Sequence, residues 1–198
     1  MQFCYHHVVR SGKLYYQGFK DNRLPNNQSC YTMPQYYLER KILITIIEAE
    51  EKHIPDITRL WKEFIQFHID IEPIWIPNEE AEHGQREEQT KPLMASDKGL
   101  VLVALDGDEV VGYSIAEIKD PPRGSTRTEY GYIHHVTVTE RYRRSGVGEK
   151  MFNKILKWFE SKGMDRVELE ITSKNYVSSS FWTKLGFEEY VRTLYLNI

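Results

Sequence analysis

The sequence predicts an α/β fold in which a mixed central sheet carries helices on its faces. Three observations predict it. Short β-branched runs alternate with longer stretches whose apolar residues recur every three or four positions. Asp106-Gly107 stands between two β-rich runs, a strong signal for a hairpin of antiparallel neighbours. Beyond residue 130 strands and helices alternate, which is the pattern of crossover connections.

The first strand is Ile42 to Ile47, ILITII, short and β-branched as a buried strand should be. Pro55 and Asp56 then open a helical pattern, with Asp56 suited to a first turn. Ile57, Leu60, Trp61, Phe64 and Phe67 or His68 follow at three- and four-residue steps. Residues 69–92 read as a loop with room for a short helix. Strands over Leu100 to Leu105 and Val110 to Ile118 flank the Asp-Gly turn, and Tyr130 to Val138 is a third. Glu149 to Lys162 is a helix with Phe152, Ile155, Leu156 and Phe159 on one face, stopped by Gly163. Arg166 to Ile171 is a strand, Asn175 to Leu185 a helix ended by Gly186, and Glu188 to Leu196 a last strand. The order is β-α-(loop or α)-β-β-β-α-β-α-β, with no internal repeat.

Size and charge bound the function. At roughly 150 residues per domain, the 198 residues make one domain with a surplus. The surplus lies at the front: residues 1–41 are turn-rich and aperiodic, so an irregular or partly disordered extension is expected there, with the domain over 42–198. A net charge of −3 removes the simplest case for nucleic-acid binding, which needs a strongly basic face. No apolar run approaches the 18 or so residues that span a bilayer. The first ten residues lack a signal-peptide core. Cys4 and Cys30 are too few for a disulfide framework. The expectation is a cytoplasmic protein that engages neither nucleic acid nor membrane.

Tyr132 to Gly148, YIHHVTVTERYRRSGVG, is the stretch most able to carry chemistry. A strand runs into a turn with Arg141, Arg143 and Arg144, then Ser145-Gly146-Val147-Gly148, then a helix. Unpaired N–H groups at a helix start attract anions, and glycines let a phosphate approach the backbone. Arginines add charge-assisted bonds. It is not a Walker A loop, because no Gly-Lys-Ser/Thr follows, and Met151 stands where the dinucleotide fingerprint needs its third glycine. From these residues alone, an anion site and an ordinary helix start with turn glycines are both open.

Arg143-Arg144-Ser145-Gly146-Val147-Gly148 resembles the R/Q-x-x-G-x-G/A pyrophosphate loop of the GNAT superfamily of acetyl-CoA-dependent N-acetyltransferases. The preceding Val136-Thr137-Val138 resembles the family's splayed strand. Asn175, Ser178 and Phe181-Trp182-Thr183-Lys184-Leu185-Gly186-Phe187 resemble its N-x-x-A…Y-x-x-x-G-F helix. The resemblance covers residues 42–198 and implies a mostly antiparallel GNAT-like sheet. Its co-substrate is acetyl-CoA, without a metal, and its acceptor an amine on a small molecule or a protein. A homodimer is left open. A non-catalytic acyl-CoA-binding module of the same fold is the alternative.

By that resemblance, backbone N–H groups from Arg144 to Gly148, through Ser145, Gly146 and Val147, hold the pyrophosphate, with Arg143 or Arg144 reaching its oxygens. Val136 and Val138 align the pantetheine arm and bring a backbone N–H to the thioester carbonyl. Asn175, with Ser178 beside it, bonds pantetheine or the loop; helix capping is its ordinary role, and both can hold. His134, placed by strand alternation on the face of Tyr132 and Val136, is the candidate base, with a structural histidine as the plain reading. His135 is expected on the opposite face. Glu129 is a weaker base. Trp182 stands where many relatives carry a tyrosine acid, and indole N–H is no practical acid; either the thiolate leaves without help or another donor reaches it, with Tyr176 and Tyr190 as candidates.

Other features are less specific. Residues 69–91 hold seven acids against Arg86 and Lys91, a net of −5, which reads as an acceptor wall or a solvated loop. His68, Trp75 and His83 lie in the same region. Cys4, His6, His7 and Cys30 lack the paired spacing of structural zinc sites. Asn27-Gln28-Ser29 is a sequon without a secretory context. Met33 is an alternative start.

Overall fold

A computed structural model describes residues 6–10, 13–17, 43–72, 85–121 and 128–196. The chain divides into two units, Met1–Ile42 and Leu43–Ile198. In the first, β1 (His6–Arg10) and β2 (Lys13–Gln17) pair antiparallel, from His6 opposite Gln17 to Arg10 opposite Lys13. Irregular chain was the expectation here. Ser11-Gly12, a turn dipeptide between two runs of β-formers, gives the local reason for a hairpin. Cys4, Cys30, the sequon and Met33 lie outside the described residues.

The second unit contains β3 (Ile44–Glu48), α1 (Ile54–Ile71), α2 (Gln85–Ala95), β4 (Gly99–Asp106), β5 (Glu109–Lys119), β6 (Tyr130–Val138), α3 (Val147–Ser161), β7 (Val167–Leu169) and α4 (Tyr176–Lys184). The sheet order is β3-β4-β5-β6-β7. The first four strands are antiparallel, and β7 runs parallel to β6. The mixed, mostly antiparallel sheet expected from the sequence is present. Helix α1 continues to Ile71 and α2 occupies 85–95, so both ends of the expected 69–92 loop are helical.

Alternation along β4 and β5 sorts the core onto two faces. Val101, Val103, Tyr113 and Ile115 meet Ile57, Leu60 and Trp61 of α1, whose apolar spacing is that of one helical stripe. Leu100, Leu102, Ala116, Ile118 and Ile133 face the other way, onto Phe152, Ile155 and Phe159 of α3 and Trp182 of α4. Full burial of side chains such as Leu60 and Ile155 contributes about 1.5–3 kcal/mol each. No helix among the described residues is long and apolar enough to cross a membrane.

One expected element is absent. Residues 188–196 form no strand. A strand needs a neighbouring row of free N–H and C=O groups, and β7 offers only three residues as a template. Side chains tie this segment to β7 and the residue before it: the Tyr190 hydroxyl donates to Glu168 at 2.7 Å, and Arg166 lies 4.8 Å above the Tyr190 ring. Leu194 and Leu196 stay 89% and 84% exposed.

Candidate functional site

Strand β6 is paired along its whole length on one side and along a third of it on the other. β7 meets only Gly131, Tyr132 and Ile133, and from His134 onward no described strand covers that edge. The backbone direction follows from one bond. Thr139 N–H donates to Val111 O at 2.9 Å, so by antiparallel alternation Thr137 faces β5 while Val136 and Val138 turn their N–H and C=O groups to the open edge. A cleft opens there, lined by Phe64, His68, Ile133 to Val136, Leu169 to Ile171, Asn175, Ser178 and Trp182.

A β-bulge re-aims the side chains at this point. Ile115 lies opposite His135 and Ala116 opposite Ile133, which leaves His134 as the extra residue of β6. His134 therefore shares the α1 face with Tyr132, its ring 4.9 Å from that phenol, and its Nε2 lies 2.8 Å from Glu117 Oε1 of β5. Val136 packs on the α3 face. Two expectations are corrected: His134 does not share a face with Val136, and His135 is not opposite His134. His135 meets Phe64 edge-on at 4.8 Å, on the α1 side as well. Strict two-residue alternation stops where a bulge inserts a residue.

The loop after β6 is anchored before it bends. Tyr142 donates to Asp106 Oδ2 at 2.7 Å, and burial with that carboxylate nearby raises the phenol above its usual range. Arg144 has φ 62° and Gly146 φ 84°. A Cβ on Gly146 would meet no atom within 4 Å, so the glycine answers the left-handed backbone and the space beside it is open. Gly146 caps α3 with no side-chain bond, and the first helical bond is Lys150 N–H to Gly146 O at 3.0 Å. The N–H groups of Val147, Gly148 and Glu149 precede that first bond, and the helix dipole favours an anion beside them.

The two arginines separate. Arg143 donates from Nε to Val138 O at 3.0 Å and lies 5.8 Å over the Phe67 ring, so it turns back along β6. Arg144 is exposed at the bend. The Ser145 hydroxyl closes the loop by donating to Tyr142 O. Asn175 is buried and caps α4, its Oδ1 accepting from Ser178 N–H at 3.0 Å. Gly148 lets Phe181 approach, for a Cβ there would lie 3.4 Å from the ring.

Carboxylates gather around Tyr132, and Glu170 among them lines the cleft. Glu117, Glu168 and Glu170 surround Tyr132, whose phenol is pushed up to about 12 by burial first and then by Glu170 and its neighbours. Glu129 instead pairs with Lys98 at 2.5 Å. Trp182 is core, edge-on to Phe152 at 5.7 Å and Phe187 at 5.2 Å. Tyr176 is 75% exposed. His68 is buried and donates from Nδ1 to Phe64 O at 2.8 Å, a bond to the preceding turn of α1 that gives it a structural role. Trp75 and His83 lie outside the described residues. Sequence reasoning missed Glu117, Glu168 and Glu170: Glu117 and Glu168 sit on β5 and β7 and Glu170 just past the end of β7, and only the tertiary fold brings them together.

A family model described as the acetyltransferase (GNAT) family matches residues 59–187. The chain belongs to that family. N-alpha-acetyltransferase 30 of Schizosaccharomyces pombe is 34% identical over 97 residues, covering 48% of this chain and 63% of that protein. N-acetyltransferase family 8 member 7 of Mus musculus is 25% identical over 114 residues, covering 57% and 49%. This chain thus spans less than two thirds of the length of the curated relatives it matches. Among solved structures, a Bacillus halodurans protein crystallised as a tetramutant superposes with TM-score 0.69 at 22% identity, covering 78% of this chain and 99% of that one. An aminoglycoside N-acetyltransferase in complex with CoA superposes with TM-score 0.61 at 18% identity, covering 79% and 95%. At these identities the structural likeness is one of fold.

Proposed function

We propose that this GNAT-family chain is an acetyl-CoA-dependent N-acetyltransferase whose acceptor amine attacks the thioester directly in a ternary complex. One observation carries the reading. The open edge of β6 at Val136 and Val138 leads straight into the uncapped start of α3. An extended amide-bearing arm ending in a pyrophosphate needs that sequence of groups: strand-like partners first, then an anion cradle.

The residues fit the co-substrate. Open space beside Gly146, its left-handed backbone and the first N–H groups of α3 suit a pyrophosphate. In this reading Arg144, Ser145, Gly146, Val147 and Gly148 hold it by backbone N–H, and the Arg144 side chain supplies charge. Arg143 shapes the end of β6 through Val138 O. Val136 and Val138 align the arm, and the Val136 N–H is the donor for charge growing on the thioester oxygen. Asn175 and Ser178 cap α4 at the cleft wall. Bound there, acetyl-CoA supplies the activated acetyl group.

The acceptor must be neutral to attack. A lysine-like amine is about 0.1% neutral at physiological pH, a cost of roughly 4 kcal/mol, while an α-amino group with pKa near 8 pays about 1 kcal/mol. His134 is the base that takes this proton, and the carboxylates around Tyr132 attract the ammonium form to the same end of the cleft. Charge is thereby divided along β6: the anionic pyrophosphate lies at the arginine end, the cationic acceptor meets the thioester toward the glutamate end, and the strand between those ends spans about 20 Å. The acceptor is an amine of a protein or small molecule; the N-alpha activity named for the Schizosaccharomyces pombe relative favours an α-amino group. Two cysteines and a net charge of −3 support a cytoplasmic protein that engages no nucleic acid.

The test is thiol release from acetyl-CoA against a panel of peptides and small amines, with thermal unfolding measured beside it. Coenzyme A at a hundredfold excess over Kd is expected to stabilise the fold by about 2.7 kcal/mol. No shift at millimolar ligand sinks the reading. Binding without turnover on the whole panel replaces it with a non-catalytic acyl-CoA-binding module. Substituting His134→Ala should lower kcat and leave coenzyme A affinity intact; an unchanged rate and pH profile removes the base role.

A further inference from the structure

His134 occupies the one position of β6 where the ladder does not fix side-chain direction, because it is the extra residue of the bulge. What holds its ring is a side chain of the next strand. Glu117 lies 17 residues earlier in the chain, and its Oε1 is 2.8 Å from His134 Nε2. We infer that Glu117 is a positioning residue for acetyl transfer: it orients the His134 imidazole and stabilises the imidazolium formed when the acceptor loses its proton. The inference rests on the base role proposed for His134.

The chemistry of the pair is one-sided. A carboxylate only accepts, so the contact assigns the Nε2 proton to His134 and makes Nδ1 the basic nitrogen of the neutral ring. In the transfer step an acceptor N–H bond breaks and an N–H bond forms at His134. A C–N bond forms at the acetyl carbon and the C–S bond breaks, the thiolate taking a proton from the imidazolium or from water. Glu117 keeps its charge throughout and takes no proton.

The surroundings support a built pair rather than a passing surface contact. The side chains of His134 and Glu117 are 31% and 24% exposed. Other groups on this face are Lys119, with Nζ 3.5 Å from Glu117 and 3.5 Å above the Tyr132 ring, and Tyr132 itself. His135 stacks 6.4 Å from His134, and His68 and Glu170 line the same cleft. Lys119 draws on the same carboxylate, so the Glu117 charge is shared between an ammonium and an imidazole.

The experiment uses full-length protein carrying Glu117→Gln, Glu117→Asp, His134→Ala and the Glu117→Gln/His134→Ala double change, with acetyl-CoA and the best acceptor of the panel. Glu117→Gln keeps an acceptor oxygen and loses the charge. Its kcat is expected to fall about tenfold to a hundredfold, within the range that general-base catalysis supplies. The acidic limb of kcat/KM should move down by about one pH unit, as loss of a neighbouring opposite charge dictates. The double variant should be no slower than His134→Ala alone, and coenzyme A affinity should be unchanged in all four. NMR titration of the His134 ring gives a readout independent of turnover, with an Nε2–H tautomer in the parent and a lower imidazole pKa in Glu117→Gln. If that variant does not fold, Glu117→Asp carries the test: the charge stays, so the limb should hold while the rate falls. An unchanged limb and rate in Glu117→Gln, an Nδ1–H tautomer, or additive losses in the double variant each overturn the positioning role. A wild-type rate and profile in His134→Ala overturns instead the base reading beneath it.

Discussion

Tyr142 donates its hydroxyl to Asp106 across 2.7 Å, with both residues buried. Asp106 closes β4 and Tyr142 opens the bend that leads to Arg144 and Gly146, so this bond fastens the anion cradle to the β4–β5 hairpin. Tyr142→Phe removes a bond to a buried carboxylate, and a loss of about 1.5–3 kcal/mol of stability is expected. Coenzyme A affinity should fall with it, since the cradle loses its anchor. Urea unfolding and calorimetric titration check the two effects; unchanged affinity would separate the anchor from the cradle.

Alkaline pH should weaken the fold through two phenols. Tyr132 is raised to about 12 and Tyr142 is raised as well, each chiefly by burial. A folded pKa above the unfolded one stabilises fully below the unfolded value near 10 and loses that contribution as pH rises through the folded value. Stability is therefore expected to be flat from neutral pH to about 9.5 and to decline above about 10 on account of these groups. Denaturant midpoints against pH, with phenolate absorbance recorded alongside, test it; a decline that begins near pH 8 would require another group.

Gly146 sits at φ 84° with open space around its α-carbon. Gly146→Ala should therefore cost only the left-handed backbone penalty, about 1–2 kcal/mol, while coenzyme A binding drops more steeply because the N–H groups lose their aim. Arg144→Ala is expected to weaken binding in a salt-dependent way. Arg143→Ala should disturb the end of β6 instead, since its Nε is committed to Val138 O. Equal salt-dependent losses for both arginines would contradict this division.

Trp182 is wedged between Phe152 and Phe187, and its role is shape. Trp182→Ala is expected to cost about 3–5 kcal/mol, as large buried truncations do. Trp182→Phe should retain most of kcat. A collapse of kcat in a stably folded Trp182→Phe would give the indole a part in the chemistry.

Much of the fold was legible because its signals are local. The stripe Ile57-Leu60-Trp61-Phe64, the Asp106-Gly107 hairpin and Asn175 before α4 each state their element within a few residues. The glycine-arginine loop declared the family in the same way. What escaped were relations between strands. The last strand expected over 188–196 had suitable residues, yet a strand forms only against a partner long enough to pair with.

By itself the sequence determined the order of elements, the two apolar faces that make the sheet a filling between helices, and the loop chemistry that suits a pyrophosphate. Tertiary structure alone decided where the reactive side chains point. The bulge opposite Ile115 and Ala116 kept His134 on the face of Tyr132 and Glu117, brought His135 onto that face and turned Val136 to the other. Side-chain period along a strand survives only while register with its neighbour is unbroken, and register belongs to the pair of strands.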